Sequence, residues 1–218
     1  QILHEPLPER EDLEERYPLD FSDKVLLIVQ HPVTLEVDQA AKQIRETLEA
    51  VSSFQYQTLV IYPNADAGGR AMIEVIKEYE HLPFIRTYKS IPHEDYLSLL
   101  RHSSILIGNS SSGIIEAPSF GIPVINIGSR QKGRQRGGNV IDVDCNREAI
   151  VSAINYALTD EHYINTINLK NNPYGDGSSG KRITNILSEI PINSELLQKV
   201  EGKCGLRNGT SRISKTAK

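Results

Sequence analysis

The residues best placed to do chemistry lie between Ile105 and Ile127, which read Ile-Leu-Ile-Gly-Asn-Ser-Ser-Ser-Gly-Ile-Ile-Glu-Ala-Pro-Ser-Phe-Gly-Ile-Pro-Val-Ile-Asn-Ile. The apolar run Ile105–Ile107 predicts a buried strand, and Val124–Ile127 a second one. Between them come a small polar turn, Gly108–Gly113, and a short helix over Ile114–Phe120 that Gly121 ends. A strand, a serine-glycine turn and a helix, in that order, suit an anionic ligand. Small residues let backbone N–H groups approach a phosphate or carboxylate, and a helix start favours negative charge. An ordinary strand-to-helix loop fits the same residues, because no Walker or Rossmann glycine spacing is present. Gly108–Gly113 is the candidate turn for a phosphate or carboxylate. Glu116, one turn on, would repel a phosphate but could accept hydrogen bonds from neutral sugar hydroxyls just beyond it. Its simpler reading is a helix-start carboxylate held by the dipole.

The surrounding elements decide which other residues can reach that turn. Val25–Val29 is a continuous apolar strand that stops at Gln30-His31-Pro32. Ligands gather outside the carboxyl ends of parallel strands, which makes His31 a candidate contact, with a backbone-tied loop residue as the alternative. Leu35–Val51 predicts an amphipathic helix, Thr58–Tyr62 a strand and Pro63–Gly69 a turn holding Asn64 and Asp66. Helix Arg70–Tyr79, strand Phe84–Tyr88 and helix Pro92–Leu100 follow. Strand Val140–Val143 and helix Arg147–Leu158 come after the organising segment. This alternation predicts an α/β fold, a Rossmann-like parallel sheet with helices on both faces. The densest positive charge, Arg130 to Arg136, follows the strand after the serine turn. Arg130 is therefore a candidate clamp for a small polyanion, against a solvated glycine-rich loop. Asn171–Gly180 is a turn-rich loop outside the core, before a helix over Lys181–Ile190.

Residues 1–23 carry Pro6, Pro8 and Pro18 among acidic residues and are expected to form a linker or edge segment rather than a core element, with Leu3, Leu7 and Leu13 available to pack it onto a surface. Residues 24–192 form the folded domain. Residues 193–218 are expected to hold a C-terminal helix followed by a basic, disordered tail. The 218 residues carry a formal net charge of −4, and the basic loop has no aromatic to stack a base, so no nucleic-acid partner is expected. No apolar run predicts a membrane span, and no signal peptide is visible. Two cysteines make neither a disulfide framework nor a metal site, and a cytoplasmic location fits. No zinc motif or serine elbow is present. The chain does not begin with methionine, and Gln1 is read as a processing boundary or the middle of a longer protein.

Four blocks together resemble the hydrolysing UDP-N-acetylglucosamine 2-epimerases. They are Gln30-His31-Pro32-Val33-Thr34, Tyr62 to Gly68, Gly108 through Arg134, and Asn172-Pro173-Tyr174-Gly175-Asp176-Gly177. They occur in family order between about Lys24 and Ile190. The resemblance implies the second domain of a GT-B two-domain enzyme, with the active site in a cleft between two Rossmann-like domains and the first domain absent from this sequence. It implies conversion of UDP-N-acetylglucosamine and water to N-acetylmannosamine and UDP, by elimination of UDP to a glycal and hydration of that intermediate, in sialic acid or related amino-sugar synthesis. No cofactor or metal is implied.

By resemblance, Ser110, Ser111, Ser112 and Gly113 match the phosphate turn and Glu116 the ribose acid. His31 matches the pyrophosphate-side histidine, Arg130 the arginine near the nucleotide, and Asn64 a polar residue lining the cleft. Lys132, Arg134 and Arg136 match less well. The catalytic acid and base groups are expected mainly in the absent domain, so this chain alone should be inactive. Partners would be UDP, a UDP-amino sugar, the missing domain and a homo-oligomeric copy. Non-hydrolysing epimerases, epimerases for galactosamine or diacetamido sugars, GT-B glycosyltransferases and non-catalytic UDP-sugar-binding modules share enough of this pattern to stay open.

Overall fold

A computed structural model of the chain describes residues 6–167 and 171–193. The chain divides into two units between Gly177 and Ser178. The first holds a six-stranded, wholly parallel sheet in the order β3-β2-β1-β4-β5-β6. The strands are β1 Val25–Val29, β2 Gln57–Ile61, β3 Ile85–Tyr88, β4 Ile105–Gly108, β5 Val124–Ile127 and β6 Val140–Val143. The order runs outward from β1 through β2 to β3 on one side and from β4 through β5 to β6 on the other, so the winding reverses between β1 and β4. In such sheets the crevice at the carboxyl ends of the two central strands is open to a ligand.

Each strand of the centre is buried on both faces, which is why its sequence is continuously apolar rather than alternating. Along β1, Leu26 and Ile28 point into one core, while Val25, Leu27 and Val29 point into the other. The first core is covered by α2 Ala40–Ser52, α3 Gly69–Tyr79, α7 Arg147–Thr159 and α8 Glu161–Ile167. In α2, Ala40, Ile44, Leu48 and Val51 are buried and recur at helical spacing, so one stripe of the helix meets the sheet. The second core is covered by α4 His93–His102 and the short turns α5 Ser112–Ile115 and α6 Ala117–Phe120. Helices therefore lie on both faces, as the alternation predicts.

The segment expected to stay outside the core does not. Residues 10–16 form a helix, α1 Arg10–Arg16, closed at its start by reciprocal bonds between Glu9 and Asp12. Leu13 is fully buried, and Tyr17 and Leu19 are buried beside it in the second core. Asp95 of α4 fixes the helix end: its carboxylate accepts from the Arg16 guanidinium at 2.5 Å and from the Tyr17 hydroxyl at 2.7 Å. The Tyr17 ring then meets Tyr88 edge-to-face at 5.2 Å. The short helix expected over Ile114–Phe120 begins two residues earlier and is broken at Glu116. Pro118 explains the break, since it has no N–H to offer the carbonyl four residues back.

The second unit shows one described helix, α9 Ser179–Glu189, followed by residues to 193. Its apolar stripe of Ile183, Ile186 and Leu187 is exposed within the unit. The C-terminal helix and basic tail expected over 193–218 lie, apart from Asn193, outside the described residues. No helix among the described residues is long and apolar enough to cross a membrane.

Because Leu13 has no exposed surface, Leu13→Ala is expected to cost about 2–5 kcal/mol of unfolding free energy. Urea denaturation measures this. An unchanged midpoint would show that α1 is peripheral to the fold.

Candidate functional site

The site grows out of the junction of β1 and β4. Gly108 closes β4 at φ +134°, and a Cβ there would stand 2.2 Å from the Val29 carbonyl oxygen. Glycine is required both by the backbone angle and by the approach of the two strands. The chain then turns so that Asn109, 2 % exposed, drops its amide between the loops. Its Oδ1 accepts from the His31 backbone N–H at 2.7 Å, and its Nδ2 donates to the His31 carbonyl at 2.8 Å. The Asn109 carbonyl in turn accepts from the Arg130 guanidinium at 3.1 Å and from the buried Gln131 amide at 2.8 Å. One buried asparagine thus joins the loops after β1, β4 and β5.

His31 is half-buried, and its Nδ1 accepts the Asn64 backbone N–H at 3.2 Å. That acceptance requires an unprotonated Nδ1, leaving Nε2–H as the ring's donor. Burial lowers the His31 pKa, the Arg130 charge lowers it further, and Asp66 opposes both. The imidazole is therefore held neutral near pH 7, a hydrogen-bond donor rather than a cation. Asn64 is exposed and commits its side-chain amide to Asp66 at 2.7 Å, so its contact with His31 runs through the backbone. Glu36, by accepting from Ser129 at 2.7 Å and Gln43 at 2.6 Å, gives the β1 and β5 loops a second link.

The serines divide by role. Ser112 is buried, and its hydroxyl pairs with the Tyr96 hydroxyl and with Ser110 Oγ. Ser110 and Ser111 are half-buried, and their backbone N–H groups meet no acceptor among the described residues. Gly113 is buried against β5, where a Cβ would stand 2.7 Å from Val124 Cγ1. Its absent side chain serves helix-to-strand packing.

Glu116 sits at the break between α5 and α6, half-buried, with no hydrogen bond to its carboxylate among the described residues. Burial raises its pKa, and nearby His93 partly offsets this. A carboxylate in that setting gains by accepting hydroxyl donors that replace lost water. The break also frees the Ile115 carbonyl, which Asn172 fills by donating its amide at 2.8 Å. The same Asn172 amide reaches Ser119 Oγ at 2.7 Å, and Tyr174 donates its hydroxyl to the Gln135 carbonyl at 3.1 Å. The loop from Asn172 therefore braces both the helix break and the basic loop. Of that basic loop, Arg136 is committed to the Asp142 carboxylate and the Gln131 carbonyl, while Lys132 and Arg134 are exposed.

His31, Asn64, the Ser110–Ser112 turn and Arg130 thus share the carboxyl edge of the sheet, and hydrogen bonds join His31 to Asn64 directly and to Arg130 through Asn109. Asn109, Gln131 and Tyr96 are the organising residues that sequence reasoning did not single out. The signal available for Asn109 was its place directly after a strand-ending glycine, which a surface turn residue would share.

The described family of UDP-N-acetylglucosamine 2-epimerases matches residues 3–188 of the chain. A hydrolysing UDP-N,N'-diacetylbacillosamine 2-epimerase of Legionella pneumophila is 38% identical over 200 residues, which cover 91% of this chain and 52% of that protein. The polysialic acid biosynthesis protein P7 of Escherichia coli is 41% identical over 170 residues, covering 77% of this chain and 43% of that one. Among solved structures, the UDP-GlcNAc 2-epimerase of Neisseria meningitidis bound to UDP-GlcNAc superposes with a TM-score of 0.67 at 17% identity, over 83% of this chain and 49% of that one. At that identity the likeness shows the fold, a Rossmann-like half of the GT-B architecture. The chain spans about half the length of these curated relatives.

The His31 environment is testable by itself. Its imidazole should titrate below the ordinary 6.5, and Arg130→Ala should raise the midpoint by removing a neighbouring positive charge. NMR titration of the imidazole Cε1 resonance reads both. Because the folded pKa is depressed, this histidine subtracts stability as pH falls through 6.5 and below, and subtracts nothing above it. A midpoint that ignores Arg130→Ala would place the guanidinium away from the ring.

Proposed function

The chain belongs to the UDP-N-acetylglucosamine 2-epimerase family, and from that premise we propose that it supplies the UDP-binding half of a hydrolysing UDP-amino-sugar 2-epimerase. The observation that carries the reading is the convergence at one strand edge of donors suited to a diphosphate: the N–H groups of Ser110 and Ser111, without an acceptor among the described residues, the neutral His31 ring and the Arg130 guanidinium. Glu116, beyond the serine turn, supplies acceptors for ribose hydroxyls. Asn64 lines the cleft through its backbone, and Ser112 and Gly113 hold the turn in shape.

In this reading the reaction removes the sugar C2 proton and breaks the bond between C1 and the diphosphate oxygen, releasing UDP. Water then adds across the resulting glycal to give the free amino sugar. The residues here act on the leaving group. Negative charge develops on the diphosphate as the C1–O bond breaks, and donors already aimed at it stabilise that charge without reorganising. A neutral His31 suits this, since Nε2–H donates without a prior protonation step. The base for the C2 proton must reach within about 3 Å of it. We place that base, and the surface that closes over the sugar, in a partner domain outside this sequence.

The amino sugar has two readings. UDP-N-acetylglucosamine follows from the family description, and a UDP-diacetamido sugar is favoured by the similarity to the Legionella enzyme. The two differ at the sugar, away from the diphosphate side described here. A full-length protein carrying this chain, given each UDP-sugar without an acceptor, should release UDP and one free 2-epimerised sugar. Strict dependence on an acceptor would make it a glycosyltransferase, and binding without turnover would make it a UDP-sugar-binding module.

The 218-residue chain itself should bind UDP weakly and turn over almost nothing. Calorimetry with UDP and uridine, on wild type and Arg130→Ala, tests the assignment. A charge-assisted hydrogen bond contributes about 1.5–3 kcal/mol, so Arg130→Ala should weaken UDP about ten- to hundredfold and leave uridine almost unchanged. Equal losses for both ligands would mean that Arg130 only pins its loop. Robust turnover by this chain would place the catalytic groups within it.

A further inference from the structure

Tyr96 belongs to no part of the diphosphate cradle, yet its hydroxyl is joined to it. It projects from α4, half-buried, and its hydroxyl pairs with that of Ser112. Ser112 Oγ donates to Ser110 Oγ at 2.9 Å, and the Ser112 backbone N–H reaches the same Ser110 oxygen at 3.3 Å. Three hydroxyls carry three protons, and the two bonds between them use two. Which proton is left over depends on the direction of the chain.

Two facts set that direction. Phenols are more acidic than aliphatic alcohols and are the better donors, so Tyr96 donates to Ser112 and Ser112 to Ser110. Ser110 Oγ accepts both the hydroxyl and the amide of Ser112, which occupies its lone pairs, so its own proton is shared between the nearby Tyr96 oxygen and an oxygen of the ligand. Burial pushes the Tyr96 phenol up to about 12 against the lowering effect of hydrogen bonds with Ser112 and Ser110, so the chain keeps its first proton throughout the neutral range. Hydrogen bonds in such a row polarise one another, which strengthens the terminal donor.

We propose that Tyr96 is a positioning residue: through Ser112 it orients the Ser110 hydroxyl so that its proton points out of the turn and donates to an oxygen of the ligand's diphosphate. This rests on the diphosphate reading of the site and adds a residue that does not touch the ligand. Reversing the chain would present a lone pair of Ser110 to the phosphate, which repels it.

The test uses Tyr96→Phe, which keeps the ring and removes the hydroxyl, with UDP and uridine titrated by calorimetry. Ser112 can then rotate its proton away from Ser110, and the outward donor loses its orientation. UDP affinity should fall about two- to tenfold, the range for one neutral hydrogen bond, while uridine affinity stays level. Ser112→Ala breaks the row in the middle and should give a similar phosphate-specific loss, and it serves where Tyr96→Phe does not fold. In the double variant the losses should not add, because either change alone interrupts the row. Unchanged UDP binding in Tyr96→Phe, or equal losses of UDP and uridine, would overturn the positioning role. A wild-type chain with no preference for UDP over uridine would overturn the diphosphate reading itself, and this inference with it.

Discussion

The carboxyl edge of the sheet depends on one buried amide. Asn109 has four hydrogen-bonding groups, and each finds a protein partner, five bonds in all: its side chain grips both backbone groups of His31, its N–H meets the Val29 carbonyl at 3.2 Å, and its carbonyl holds Arg130 and Gln131. Leaving any of these polar groups buried and unpaired would cost about 1–3 kcal/mol, so the five bonds are formed together or the loops move. Gly108 makes the arrangement possible, since any side chain there would collide with Val29 before Asn109 could turn inward. The geometry of His31 and Arg130 is a consequence of this junction. Neither residue is positioned by its own loop alone.

The sheet was legible because burial on both faces forces continuous apolar runs. Val25–Val29, Val124–Ile127 and Val140–Val143 are strands with the bounds their sequences suggest, and the others shift by a residue. Helix α1 was not legible. Its Arg-Glu-Asp-Leu-Glu-Glu-Arg has one apolar position, and its burial comes from Leu13 meeting a face of the sheet that only the fold creates. Prolines before and after it read locally as linker punctuation, although Pro18 lies outside the helix and leaves it intact. Helix α8, Glu161–Ile167, was missed because its buried Tyr163 and Ile167 give one short turn of periodicity.

The candidate site divides in the same way. The placement of Ser110, Ser111, His31 and Arg130 just past strand ends was legible because it follows from topology alone. Asn109, Gln131 and Tyr96 were not, because a buried polar residue reveals its task only through partners distant in sequence. Tyr96 sits at a helical position that reads as core, and its ring does pack there while its hydroxyl leaves the core for Ser112. Gly113 shows the converse: it reads as a ligand-approach glycine, and the structure has it packing against Val124.

Pro118 gives the local sequence a further consequence. An unbroken helix from Ser112 to Phe120 would carry Glu116 in its middle, with its backbone groups bonded fore and aft. The proline interrupts that ladder, and the Glu116 N–H still reaches Ser112 while its carbonyl accepts Ser119. The displaced bond belongs to Ile115, whose free carbonyl is what Asn172 recognises from 57 residues away. A break in one short helix therefore creates the docking point for the late loop, and that loop, through Tyr174, steadies the basic segment after β5. The segments that carry Glu116 and Arg130 are thus braced by a single stretch of backbone between Asn172 and Tyr174. Opposite charges that share a brace can be held apart without neutralising one another: among the described residues the Glu116 carboxylate accepts no hydrogen bond, and Arg130 reaches a carbonyl rather than an acid. Such separation is what a ligand with a neutral hydroxylated ring next to an anionic chain requires of its protein.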